Sequence, residues 1–103
     1  MTVSLSGAPR EQHEGAEGTY MLGPNTKNGK RYYLQIDGQH ALWYGSMHKD
    51  WGIGLKRNLG TSFTFFITDS GTARNGLPYE VSEWLWSVNR SWVVSTDIVV
   101  QKG

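Results

Sequence analysis

The sequence predicts an all-β domain, a small antiparallel barrel or sandwich of six to seven short strands connected as a meander. From Gly18 onward, short runs rich in Tyr, Trp, Phe, Val and Ile are separated by turns that contain glycine, which is typical of such domains. The chain has 103 residues, 38% of them hydrophobic and 18% charged, a size suited to one core. Its 13 glycines are nearly twice the ordinary share of about 7%, as expected for many turns.

Residues 1–17 differ from the rest in composition. They are mostly polar, they contain Gly7-Ala8-Pro9 and Gly15-Ala16, and they show no apolar periodicity. A segment that buries little apolar surface cannot offset the entropy lost on ordering. We therefore expect a disordered tail or linker over residues 1–17 and a single all-β module over 18–103.

The best-specified element is a hairpin of residues 31–36 and 39–44 around Asp37-Gly38. Asp-Gly favours a two-residue type I′ turn, which sets Leu34 opposite Ala41 and Tyr33 opposite Leu42. One face then carries alternating apolar residues and is expected to meet the core. That face holds Tyr32, Leu34, Ile36 and Trp43.

The other strands follow from turn signals and alternation. Asn28-Gly29 predicts a turn between strands at 19–22 and 32–34, and residues 51–55 and 61–67 alternate apolar with small or polar side chains. Residues 80–88 fit a strand or a helix, with the strand favoured and a short helical turn allowed near Pro78. The expected core anchors are Tyr32, Leu34, Ile36, Trp43, Trp51, Ile53, Phe63, Phe65 and Val99.

The order of landmarks resembles a small β-module found singly or in tandem in large eukaryotic proteins, to which no activity is assigned. The matching residues are Gly18-Thr19-Tyr20, Asn28-Gly29-Lys30 with Tyr33, Leu42-Trp43-Tyr44, Trp51-Gly52-Ile53-Gly54, and a closing pair Trp84 and Trp92. Arg31 stands where that pattern often has proline. Because every motif consists of turn and core residue types, the resemblance implies a fold and supplies no site.

The sequence contains no pattern of catalytic or metal-binding residues. There is no cysteine, no His-Glu-x-x-His and no calcium loop, and Gly52-Ile53-Gly54 lacks the third glycine of a dinucleotide motif. His13, His40 and His48 are interpreted as surface residues because no partner spacing accompanies them. We expect a protein that is not an enzyme and that needs no cofactor or metal.

The remaining signal is a surplus of aromatic residues, including five tryptophans. The hairpin register turns one set of side chains away from the predicted core face, and a contiguous exposed apolar patch usually has a use. This predicts recognition of another protein, with the rival interpretation that the chain ends or the loop at 68–78 cover the same face. The candidate binding residues are Arg31, Tyr33, His40, Leu42, Tyr44 and Trp86.

Two other ligand classes suit exposed aromatic rings. A carbohydrate would stack on them, and Asn89-Arg90-Ser91, a possible N-glycosylation site, is the one hint of an extracellular setting. Single-stranded nucleic acid would use the same rings together with residues 27–57, where six basic and two acidic residues give +4. No apolar run is long enough for a membrane-spanning helix, and the N-terminus lacks signal-peptide character. With no cysteine, the sequence favours a soluble, intracellular protein without a membrane partner.

Overall fold

The computed structural model describes residues 2–7, 14–45, 50–61, 67–69, 76–81, 83–88, 91–95 and 97–103. The strands are β1 (Thr2–Ser6), β2 (Gly18–Lys27), β3 (Lys30–Gln35), β4 (His40–Gly45), β5 (Asp50–Leu55), β6 (Ile67–Asp69), β7 (Trp84–Val88), β8 (Ser91–Ser95) and β9 (Val99–Lys102). Three short 3₁₀ helices span Glu14–Ala16, Lys56–Asn58 and Pro78–Glu80. The all-β prediction is confirmed.

The nine strands found among the described residues form one antiparallel sheet in the order β8-β7-β6-β5-β4-β3-β2-β1-β9, curled into a half-barrel. The count exceeds the six to seven expected. One reason is β1, which pairs with both β2 and β9 inside the segment predicted to be a tail. Val3 and Leu5 are both almost fully buried, so two alternating apolar side chains and two neighbouring strands suffice to order this short strand. Residues 8–13 of the predicted tail lie outside the described residues.

The predicted hairpin register is confirmed where β3 meets β4, since Tyr33 pairs with Leu42 and Leu34 with Ala41. The turn differs from the prediction. Asp37 has a φ of +59°, but Gly38 is not among the glycines with positive φ, so this is not a type I′ turn. The buried Gln35 side chain fills the turn, because a Cβ on Gly38 would lie 2.0 Å from Gln35 Oε1.

Both faces of the hairpin are buried, which corrects the expectation of one core face. The main cluster gathers buried side chains from β1 to β7 and β9, among them Val3, Tyr20, Tyr33, Leu42, Tyr44, Trp51, Ile53, Ile67, Trp84 and Val100. Strands so far apart in the sheet order can share a cluster only on the concave side of the curl. A second cluster of Tyr32, Ala41 and Trp43, with Leu34 and Leu59 against it, covers the opposite side of β3 and β4.

The expected core anchors have mixed outcomes. Trp43, Trp51 and Ile53 are buried, as predicted, and Tyr32 belongs to the second cluster. Ile36 and Val99 are wrong, since they are 43% and 42% exposed; Ile36 lies in the turn beyond β3, and the neighbours Ile98 and Val100 face the core instead of Val99. Phe63 and Phe65 lie outside the described residues.

Two other local predictions are confirmed. Asn28 and Gly29, with φ values of +56° and +85°, form a two-residue turn between the paired Lys27 and Lys30. The short helical turn near Pro78 is the 3₁₀ helix Pro78–Glu80, and the ambiguous segment after it contains β7.

A bulge interrupts β2 where it pairs with β3. Residues 23–25 of β2 face the single residue Tyr32 of β3, because the register shifts between Leu22 and Thr26. Pro24 fits this position because a bulge needs no ladder donor there. A Cβ on Gly23 would come within 2.4 Å of the Tyr32 ring, so the bulge depends on glycine.

Candidate functional site

The structure separates the six residues predicted to form a binding face. Tyr33, Leu42 and Tyr44 are 2%, 1% and 6% exposed and belong to the main core cluster, so they do not form an outer surface. His40 is half-buried at the start of β4, and Trp86 is half-buried against the main cluster. Arg31 is exposed at the start of β3.

The reason lies in the curvature of the sheet. The hairpin face that a flat sheet would leave uncovered is the concave face of the half-barrel, where β1, β6, β7 and β9 contribute side chains to the same cluster. The rival interpretation, in which other parts of the chain cover this face, describes Tyr33, Leu42 and Tyr44 correctly. Much of the cover comes from β1, which lies in the segment assigned to a tail.

Two of the six residues nevertheless meet at a cavity. A cavity of about 250 Å³ lies beside the start of β3. We call it the aromatic cavity; it is lined by Leu22, Lys30, Arg31, Tyr33, Trp51, Leu77 and Tyr79. Arg31 and Tyr33 were candidates from the sequence, and the other five lining residues were not.

The floor of the aromatic cavity is built on Trp51. Its ring lies 6.4 Å from that of Tyr33, tilted by 60°, and 5.6 Å from that of Tyr44 in an edge-to-face arrangement. Trp51 Nε1 donates a hydrogen bond to the carbonyl oxygen of Gly76 at 3.1 Å, which ties the segment before the third 3₁₀ helix to the floor. Leu77 directly follows Gly76, and Tyr79 lies within the 3₁₀ helix that comes next.

Two cationic side chains stand in the same cavity. Lys30 Nζ lies 5.2 Å from the centroid of the Tyr44 ring, a cation–π distance. Arg31 donates from Nε and Nη2 to the carbonyl oxygen of Gly23, at 3.2 and 2.7 Å, so the β2 bulge fixes its guanidinium. None of the described lining residues carries a carboxylate.

The electrostatics of Tyr33 reflect this setting. Burial raises the pKa of Tyr33 most, the nearby Tyr79 raises it further, and the Arg31 guanidinium opposes the rise. The Tyr33 phenol is therefore neutral at physiological pH, and Arg31 contributes a positive charge to the cavity wall. A third cation stands beside that wall, since Lys102 Nζ lies 5.7 Å from the Tyr79 ring centroid.

A second exposed feature is the β8 edge, defined by Ser91–Ser95. Among the described strands β8 pairs only with β7, so its other side ends the sheet. Trp92, Val93 and Val94 are 49%, 38% and 52% exposed. Since successive residues of a strand point to opposite faces, apolar side chains are exposed on both faces of β8.

The other end of the sheet is different in character. At β9, Val100 is buried against the core, and Gln101 and Lys102 present polar side chains. Natural proteins protect edges with lysine, proline or bulges, and β8 contains neither a charged residue nor a proline. The uncharged run Trp92-Val93-Val94 is compatible with such an unprotected edge, but its β-branched residues also suit a buried strand.

Comparison with protein-family models, with curated proteins and with solved structures finds no match to this chain. The resemblance to the eukaryotic β-module therefore stays a prediction. In the described part of the chain, no group of three or more His, Asp or Glu side chains is placed to hold a metal ion. Within the same residues, no helix has the length and apolar character needed to cross a membrane.

Proposed function

We propose that this chain is a non-catalytic recognition module that binds another protein by accepting one of its strands along the β8 edge. The observation that carries the proposal is an edge of β8 that pairs with no other described strand, together with three consecutive exposed apolar residues, Trp92, Val93 and Val94. Five residues present about 17 Å of backbone, enough for a short strand to add through main-chain hydrogen bonds.

The composition of the edge supports a polypeptide as the partner. An added strand satisfies the free N–H and C=O groups of β8, and its side chains cover those of β8 on both faces. Trp92 supplies the large amphipathic ring that is favoured as an anchor in protein interfaces. The absence of charge within Ser91–Ser95 leaves nothing to repel an apolar strand.

The two other ligand classes have weaker support. Trp43, Trp51 and Trp84 are buried, so a carbohydrate would rest on Trp92 and the half-exposed Trp86. In the basic segment, Tyr32, Tyr33, Trp43 and Tyr44 are buried and present no open faces for stacked bases. Glycan and oligonucleotide binding to the same protein would each distinguish these two classes from a protein partner.

The test uses a synthetic peptide with the β8 sequence Ser-Trp-Val-Val-Ser between terminal lysines. Centred on Val93, this sequence complements itself in an antiparallel pair, with Trp92 opposite Val94. Titration into the ¹⁵N-labelled protein should shift the β8 amides and the Trp92 indole, with a Kd on the order of 0.1–1 mM. A peptide N-methylated at alternate residues, which cannot form the ladder, should not bind.

A matched pair of variants locates the binding. Val93→Lys places a charge on the β8 edge and should weaken the peptide about tenfold or more, whereas Val99→Lys places the same charge at the β9 edge and should not. Equal affinity in both variants, or no shift at about 2 mM peptide, contradicts an accessible β8 edge. A glycan-array signal lost in Trp92→Ala would replace the proposal with carbohydrate binding. Oligonucleotide affinity that falls steeply with salt would favour residues 27–57.

A further inference from the structure

We propose that the aromatic cavity binds a small organic carboxylate with an aromatic or compact apolar body. This site is separate from the β8 edge, because none of its described lining residues belongs to β7 or β8. The proposal therefore does not rest on strand addition.

The size of the cavity limits the ligand. Ligand pockets usually measure about 300–1,000 Å³, and this one, at about 250 Å³, lies just below that range. One aromatic ring with a short side chain fits such a space, and a long acyl chain does not.

The walls select the body of the ligand. Leu22, Tyr33, Trp51, Leu77 and Tyr79 present mostly carbon to the cavity, so an apolar body is favoured there. The hydrogen bond from Trp51 to Gly76 holds the floor in place before any ligand arrives. A preformed floor lowers the ordering cost of binding.

The two cationic side chains favour a negatively charged ligand. Lys30 and Arg31 both line the cavity, and none of its described lining residues is acidic, so an anion can be paired there and a cation is repelled. Gly23 accepts from two of the five guanidinium N–H groups of Arg31, which leaves the others for a ligand in a fixed orientation. Guanidinium matches the geometry of a carboxylate better than that of most other groups.

These features together favour a carboxylate attached to an apolar body over inorganic phosphate. A bare anion would contact Lys30 and Arg31 but leave Leu22 and Leu77 uncovered. An uncharged aromatic compound would cover the walls but would not neutralise the positive charge of Lys30 and Arg31.

The experiment compares 4-phenylbutyrate with its neutral analogue 4-phenylbutanamide by ¹⁵N NMR titration of the full chain. The carboxylate should shift the Trp51 indole and the amides of residues 30–33 with a Kd on the order of 0.1–1 mM. The neutral amide should bind at least about tenfold more weakly, and salt should weaken the carboxylate only. Inorganic phosphate should produce no comparable shift.

Substitutions of the two lining cations test whether they cause the preference for a carboxylate. Lys30→Gln and Arg31→Gln should each raise the Kd of 4-phenylbutyrate about three- to tenfold. Arg57→Gln, an exposed cation of the second 3₁₀ helix outside the cavity, is the matched control and should leave the Kd unchanged. Lys30→Gln keeps the Arg31 contact with Gly23, so it tests the charge even where Arg31→Gln disturbs the bulge.

Three results would overturn the proposal. They are equal affinity for the acid and the amide, a Lys30→Gln effect no larger than that of Arg57→Gln, and no shift of Trp51 at about 10 mM 4-phenylbutyrate. Val93→Lys should leave 4-phenylbutyrate binding intact, so a failure at the cavity and a failure at the β8 edge are distinguishable.

Discussion

Replacing Trp43 tests whether the outer side of the hairpin is a second core. Trp43 is fully buried on β4, where it packs with Tyr32 and Ala41, and its Nε1 donates to the carbonyl oxygen of Thr61 at 3.3 Å. Its cross-strand neighbour on β5 is Gly52, which has no side chain to compete for the space. The ring therefore fills one side of the sheet at this place.

The cost of Trp43→Ala follows from the area involved. A tryptophan ring buries up to about 250 Å², which at about 25 cal/mol per Å² amounts to roughly 6 kcal/mol as an upper bound. Measured core substitutions of this kind cost about 3–5 kcal/mol, because the ring is not fully transferred from water to an apolar environment and neighbouring side chains partly fill the space it leaves. The hydrogen bond to Thr61 adds little because Thr61 is exposed and water can replace the indole. We expect a loss of about 3–5 kcal/mol in the free energy of unfolding.

Urea unfolding followed by far-UV circular dichroism measures this loss. With a denaturant slope of about 1.5 kcal/mol per molar, the midpoint should fall by about 2–3 M. Trp43→Phe keeps most of the ring volume and should cost only about 1–2 kcal/mol, so it stays measurable if Trp43→Ala unfolds the domain. Trp92→Ala removes a half-exposed tryptophan from β8 and serves as the matched control, with an expected loss below about 1 kcal/mol.

If Trp43→Ala costs no more than Trp92→Ala, the second cluster contributes little stability and the proposed two-sided burial is refuted.

Two further predictions concern polar groups in the interior. Gln35→Leu removes hydrogen bonds from Nε2 to the carbonyls of Gly15 and Glu17, at 2.7 and 2.9 Å, and from the His40 amide to Oε1 at 3.0 Å. It should cost about 2–4 kcal/mol in urea unfolding, whereas Gln39→Leu at an exposed neighbour should be nearly neutral. Equal losses in the two variants would contradict a stabilising role for the Gln35 hydrogen bonds. Burial raises the pKa of Tyr20 well above its usual value. The unfolded chain loses this proton near pH 10 and the folded chain keeps it, so the free energy of unfolding should fall above about pH 10 by up to about 1.4 kcal/mol per pH unit for this group. Tyr20→Phe should reduce the slope of stability against pH, and a variant that keeps the full slope would show that Tyr20 titrates normally in the folded state.

Several parts of the fold could be predicted because they depend on neighbouring residues alone. Asn28-Gly29 adopts the positive φ angles that its residue types favour, and Pro78 begins a short helical turn. The pairing of Tyr33 with Leu42 followed from a correct register even though the turn conformation around Asp37 was wrong. These pairs are those of a hairpin centred on residues 37 and 38, and that centre was predicted correctly, so the register holds although the turn conformation differs.

The candidate sites were predicted less well, for reasons that differ between them. Arg31 and Tyr33 were named for an outer face and instead meet in the aromatic cavity, whose walls at Leu77 and Tyr79 come from a distant segment. The β8 edge was missed because a run such as Trp92-Val93-Val94 suits a central strand as well as an edge. Which of the two it becomes depends on where the sheet ends.

The sequence by itself determined the all-β class, the Asn28-Gly29 turn and the β3–β4 register, because local propensity and alternation decide these at short range. The tertiary structure alone decided which hairpin face is covered and which neighbours pair with β1 at Thr2–Ser6. Val3 and Leu5 are only two apolar residues in a polar stretch, and they become core because β2 and β9 lie on either side of them. Burial of that kind depends on the curvature of the whole sheet, which brings together strands that are distant along the chain.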